Sequence, residues 1–106
     1  MHMLGTHERA TVTHPAGDTE CLVDSGWNFD WQRTYTYDAA LEDLPLFDAS
    51  SVVTVSCHWD NTFANPNLPR LLHDANLVAP YDVELGLNTT DEMCLADFGV
   101  VSPNPP

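Results

Sequence analysis

Turn-forming residues interrupt this sequence so often that a long helix has no room in it. "HPAGD", "DSGWN", "DASS", "DNTFANPN" and "GLNTTD" are rich in Gly, Pro, Asn, Asp and Ser, which redirect the backbone. Between them lie short runs of β-branched and aromatic residues: "RATVTH" (9 to 14), "CLVDS" (21 to 25), "RTYTY" (33 to 37), "VVTVSCHW" (52 to 59) and "CLADFGVV" (94 to 101). Such residues favour extended backbone. The alternation in "VVTVSCHW" puts Val53, Val55, Cys57 and Trp59 on one face of a strand, and Thr54, Ser56 and His58 on the other. "RTYTY" alternates in the same way. Trp27, Phe29 and Trp31 also recur at period two, which predicts an inward aromatic stripe. Many short strands joined by turns predict an all-β fold, an antiparallel β-sandwich. The best helical pattern is "NLPRLLHDANLV", 67 to 78, where Leu68, Leu71, Leu72 and Ala75 recur at roughly helical spacing. Pro69 limits it to one or two turns.

Length and charge narrow the function classes. The 106 residues fit one domain, read as 1–101 with a frayed, proline-rich tail at 102–106. Sixteen acidic residues stand against three basic ones, Arg9, Arg33 and Arg70, for a net charge of −13. Nothing here neutralises phosphates, so neither nucleic acid nor an anionic membrane is expected as a partner. The surplus of carboxylates serves solubility first and attraction of cations second. No apolar run is long enough to span a membrane. The first residues lack a basic start followed by an apolar stretch, so no leader peptide is read there.

The three cysteines leave two readings open. A bridge from Cys57 to Cys94 would close a long, proline-rich loop and be worth roughly 4 kcal/mol by loop entropy. Three reduced thiols are the alternative. No CxxC or CxxH pair supports a structural zinc site. "NTT" at 88 to 90 matches an N-glycosylation acceptor, of use only in a eukaryotic secretory pathway.

Four stretches belong together: "HMLGTHERA" (2 to 10), "GWNFDWQRTY" (26 to 35), "CHWDNTFANPN" (57 to 67) and "TTDEMC" (89 to 94). As a set they resemble the C-terminal domain of the copper type II, ascorbate-dependent monooxygenases. That family includes the peptidylglycine α-hydroxylating and dopamine β-monooxygenases, and the chain is more similar to its bacterial members. The resemblance runs from residue 2 to about residue 100.

It implies an antiparallel jelly-roll sandwich with one copper held by a His-x-His pair and a methionine. Met93 falls on the methionine ligand and His2 on the second histidine of the pair. The first histidine would lie directly before Met1, so the chain is expected to start inside the motif, without the N-terminal copper domain. The resemblance further implies hydroxylation of a C–H bond with O2, ascorbate as external reductant, a small-molecule or peptide substrate, and a secreted or periplasmic setting. The donor set suits that chemistry: a thioether favours Cu(I), while imidazole serves both oxidation states. Asp91 and Glu92 flank Met93 and are expected to orient it or to draw a cation in. His7 is a reserve ligand, His58 reads as a solvent-facing strand residue, and His14 and His73 carry no assigned chemistry.

Overall fold

The chain before the first turn becomes the central strand of the only sheet among the described residues. The structure, a computed structural model, describes residues 1–102; residues 103–106 of the expected tail lie outside them. Strand β1 (Gly5–Thr13) is flanked by β2 (Thr19–Gly26) and β3 (Val52–Trp59), both antiparallel to it, in the order β2-β1-β3. "HPAGD" turns β1 into β2 as its composition predicts. His14 N–H donates to the Asp18 carbonyl at 2.9 Å, and Gly17 takes φ of 95°, which glycine adopts without steric cost. β3 matches the predicted run "VVTVSCHW" from end to end.

Register sorts the sheet into two chemically distinct faces. Ala10 stands opposite Val55 and Val12 opposite Val53, so one face is apolar. Arg9 stands opposite Ser56, Thr11 opposite Thr54 and His7 opposite His58, so the other is polar. Ala10 and Val12 are fully buried. A second packed sheet is absent among the described residues, and the sheet-rich fold is accordingly elongated. Its radius of gyration is 17.1 Å, against about 13 Å for a compact domain of this length.

Residues at 33–37 and 94–101 form no strand, contrary to the β-branched and aromatic composition of "RTYTY" and "CLADFGVV". A strand needs a ladder partner as well as a pattern, and neither segment has one. Tyr37 instead reaches β2 through its hydroxyl, which donates to the Leu22 carbonyl at 2.7 Å. The expected aromatic stripe is also replaced. Asn28 Oδ1 accepts from Asp30 N–H at 3.0 Å and starts a 3-10 turn over Phe29–Trp31. That turn leaves Trp31 exposed with Arg33 stacked on its ring.

The main core cluster lies at one end of the sheet. Helix α1 (Leu68–Asp74) buries Leu68, Leu71 and Leu72 against Met3 and Leu4, with Phe29, Tyr81 and Val83 packed around them. Pro69 does not break α1 because it sits in the first turn, where backbone N–H groups lack intrahelical partners anyway. Asn76 ends the helix at φ 57°, with Leu77 N–H donating to the Leu72 carbonyl and Asn76 N–H to that of His73. This pattern satisfies the last carbonyls of a helix around a left-handed residue.

Cys57 on the apolar face of β3 is joined to Cys94 by a disulfide across 37 residues, while Cys21 is free and exposed on β2. The bridge resolves the open cysteine reading and is a bond that persists in oxidising compartments. Replacing both bridged cysteines by serine is expected to lower unfolding stability by about 2–4 kcal/mol. A lowered urea midpoint without a change in the native circular dichroism checks this.

Candidate functional site

The two ends of the sequence-predicted motif meet at one carboxylate. Glu92 is almost wholly buried. Its Oε2 accepts from the backbone N–H of His2 at 2.7 Å and from the Trp59 indole at 2.9 Å. Its Oε1 accepts from the Leu4 N–H at 2.6 Å. No Lys or Arg forms an ion pair with it among the described residues. Three N–H dipoles therefore stabilise a charge that burial alone would make costly.

Local sequence explains how Glu92 reaches that point. Asn88 and Asp91 form a tight turn, with Asp91 N–H donating to the Asn88 carbonyl at 2.9 Å. The Asp91 carboxylate closes the turn by accepting from Asn88 N–H and Nδ2 at 3.1 and 2.9 Å. Glu92 then pairs back on the preceding segment: its N–H donates to the Glu84 carbonyl at 3.0 Å, and its carbonyl accepts from Gly86 N–H at 3.2 Å. Tyr81 braces the turn from inside, its hydroxyl donating to the Thr90 carbonyl at 2.8 Å. Burial, and next the carboxylates of Asp91 and Glu92, push the Tyr81 phenol above its ordinary value.

The same interactions order the beginning of the chain. Met1, Met3 and Leu4 are buried. The His2 carbonyl accepts from the Trp27 indole at 2.9 Å. The Leu4 carbonyl accepts from Asp60 N–H and from the Asn65 amide, at 3.0 and 3.2 Å. At Gly5 the chain passes so close to Trp27 that an added Cβ would stand 2.7 Å from the ring and 2.9 Å from Met1 Cβ. Only glycine fits there without a shift.

His2 and Asp91 meet through an imidazole–carbonyl contact: His2 Nδ1 lies 2.9 Å from the Asp91 carbonyl oxygen. A carbonyl only accepts, so Nδ1 carries the proton and the Nε2 lone pair is left free. Nε2 makes no hydrogen bond among the described residues. The ring also packs edge to face on Phe29, with centroids 6.2 Å apart. Met93 is half-buried and lines a cleft of about 460 Å³ with Leu4, Trp59, Val83, Glu84 and Glu92. His2 does not line that cleft. The structure thus brings His2 to Asp91 and Glu92, and places Met93 on the neighbouring wall. Cys94, bridged to Cys57, fixes the chain on the other side of Met93.

Asn61 lines the same cleft, with its amide donating to the Tyr81 carbonyl at 2.8 Å and its Oδ1 buried without a hydrogen-bond partner. Trp59, Asn61 and Tyr81 were not legible as site residues. Their partners are 33, 20 and 9 residues away, and nothing in composition announces such pairings. Among the described residues, no three His, Cys, Asp or Glu side chains stand poised to hold an ion. No helix among them is long and apolar enough to cross a membrane.

A thioether and an imidazole are donor types that copper takes; here Met93 lines the cleft and His2 does not. Comparison of the chain with protein-family models, with curated proteins and with solved structures finds no match.

Glu92→Gln turns an amide N–H2 toward backbone and indole donors. It is expected to cost about 2–4 kcal/mol of unfolding free energy. The exposed control Glu84→Gln should stay within about 0.5 kcal/mol. Urea titration of the two variants against the parent protein measures the difference.

Proposed function

We propose that this chain is the methionine-copper half of a copper- and ascorbate-dependent monooxygenase that hydroxylates a C–H bond. In this reading the three-stranded sheet is one layer of a jelly-roll-like β-sandwich, and the protein works outside the cytoplasm. The observation that carries the reading is the His2–Asp91 contact. It fixes the imidazole tautomer that leaves Nε2 available, and it does so through the backbone of a residue two positions before Met93. A bridged Cys94 next to Met93 adds support, because it limits how far the thioether can drift.

Met93 Sδ and His2 Nε2 would hold the metal. Copper bound there supplies one-electron chemistry toward O2, with ascorbate as the external reductant. The chain's own residues prepare the place. The Met93 thioether is soft and neutral and favours the reduced ion. The Asp91 carbonyl holds the imidazole in one tautomer. The Glu92 carboxylate fixes the backbone that carries His2 and Leu4. Leu4, Trp59 and Val83 wall the cleft with apolar surface, while Asp82 and Glu84 give it negative charge that favours an approaching cation. A small-molecule or peptide substrate, and a separate domain with a second copper, complete the proposed reaction.

One observation favours a second reading. His2 stays outside the cleft that Met93 lines, which suits a non-catalytic copper-binding or recognition module derived from the same family. Ascorbate-dependent hydroxylation of an added substrate separates the two readings.

Cu(I) titration against a competing chelator tests the ligand assignment. Met93→Ile and His2→Asn are each expected to weaken binding about 10- to 100-fold. Met3→Leu, a change confined to the core, should leave affinity unchanged. Equal affinity in Met93→Ile and the parent protein would remove Met93 from the site.

A further inference from the structure

A second concavity lies away from the Met93 cleft, and the copper reading leaves it unused. Leu4, which lines the Met93 cleft, directly precedes β1. The turn from β1 into β2 lies at the other end of that strand. Between this turn and residues 44–48 the chain leaves a groove of about 550 Å³. Both walls are held by their own backbone. On the turn, Gly17 N–H donates to the His14 carbonyl at 2.8 Å, beside the His14–Asp18 bond already described. On the other wall, Leu44 N–H donates to the Leu41 carbonyl at 3.4 Å. Asp48 N–H donates to Ser51 Oγ, and the Asp48 carbonyl accepts from Ser51 N–H, each at 3.0 Å.

The lining combines apolar surface with negative charge that the chain leaves uncovered. Pro15, Leu44 and Leu46 form the apolar part, and Asp18, Glu20 and Asp48 bring carboxylates. His14 Nε2 stands 3.5 Å from Glu20 Oε2 and 4.0 Å from Asp18 Oδ2. Those separations are too long for firm hydrogen bonds, so both carboxylates keep acceptor capacity. The Asp48 carboxylate has neither a hydrogen bond nor an ion pair among the described residues. None of the chain's own cations fills the groove. The sequence has no lysine, and its three arginines are engaged elsewhere: Arg9 with Asp24, Arg33 on the Trp31 ring, and Arg70 with both oxygens of Asp30.

We propose that this groove binds an aliphatic diamine or polyamine. An alkyl chain suits the apolar wall. Ammonium groups along it suit carboxylates on both sides, Asp18 and Glu20 from the turn and Asp48 from the facing segment. An anionic ligand would meet like charge. A bare metal ion finds no three His, Cys, Asp or Glu side chains that could hold it among the described residues. The volume falls within the range of about 300–1,000 Å³ that small-molecule sites occupy. The walls stand in place without the ligand, so binding asks for no backbone rearrangement. The site does not rest on the copper reading, and Met93 takes no part in it.

Calorimetric titration of the full, disulfide-bonded chain with cadaverine, a linear alkyl diamine, tests this. Excess Mg2+ masks diffuse attraction to the carboxylates. One equivalent is expected to bind saturably, with amide shifts in ¹⁵N NMR confined to residues 14–20 and 44–48. Pentylamine, the same carbon chain with a single ammonium group, should bind about 5-fold more weakly. Glu20→Gln and Asp48→Asn should each weaken cadaverine about 3- to 5-fold, and together about 10-fold or more. Asp74→Asn removes an equal charge on α1 and should leave binding unchanged. Met93→Ile should also leave it unchanged, so that loss of the copper assignment and loss of this one are read separately. Unaltered circular dichroism confirms that the surface variants fold. Three results would each overturn the proposal: no saturable binding, an Asp74→Asn loss equal to that of Asp48→Asn, or a lysine-containing tripeptide that binds where cadaverine does not.

Discussion

A buried carboxylate that no Lys or Arg pairs with among the described residues is the constraint on which the site depends. Glu92 is held by the N–H groups of His2 and Leu4 and by the Trp59 indole. It joins the start of the chain, the end of β3 and the turn that precedes Met93. Burying a charge on dipoles alone demands that all of them be in place, because each missing donor leaves part of the desolvation cost uncovered. The end of β3, the first residues and the methionine turn are therefore tied together through this one carboxylate. The Cys57–Cys94 bridge acts beside it covalently, on the same strand and next to the same methionine.

How much of this was legible in the sequence depends on the range of the interaction. β3 and the β1–β2 turn are local: alternation and a Pro–Gly turn specify them, and the structure follows. Helix α1 is local too, since Leu68, Leu71 and Leu72 already mark its buried stripe. The failures at 33–37 and 94–101 have the opposite cause. Composition there shows that a strand could form, but pairing depends on a neighbour that sequence does not name. Tyr37 shows the outcome, reaching β2 through its side chain in place of its backbone. The aromatic stripe failed for a nearer reason, the Asn28 side chain that starts a 3-10 turn.

The candidate site divides in the same way. Cys57 and Cys94 were identifiable as a pairing, though spacing alone left reduced thiols equally open. The family resemblance pairs His2 with Met93 and sets Asp91 and Glu92 beside Met93; that His2 itself bonds Asp91 and Glu92 is seen only in the structure. Glu92 has a structural duty that its position beside Met93 did not announce: it accepts from the backbone N–H groups of His2 and Leu4. Asp91 contributes its carbonyl to the imidazole while its carboxylate closes the turn at Asn88. The sheet's two faces thus carry separate chemistry, thioether and apolar cleft toward one side, imidazoles and Asp24 on the other.

The most direct test observes the Met93 sulfur itself. With methionine methyl groups labelled with ¹³C, one equivalent of Cu(I) should shift the Met93 resonance and the His2 ring protons along a common saturation curve. The methyls of Met1 and Met3, buried against Gly5 and α1, should stay where they are. A Met93 resonance unmoved at saturation, or one that titrates without His2, would contradict a shared copper site.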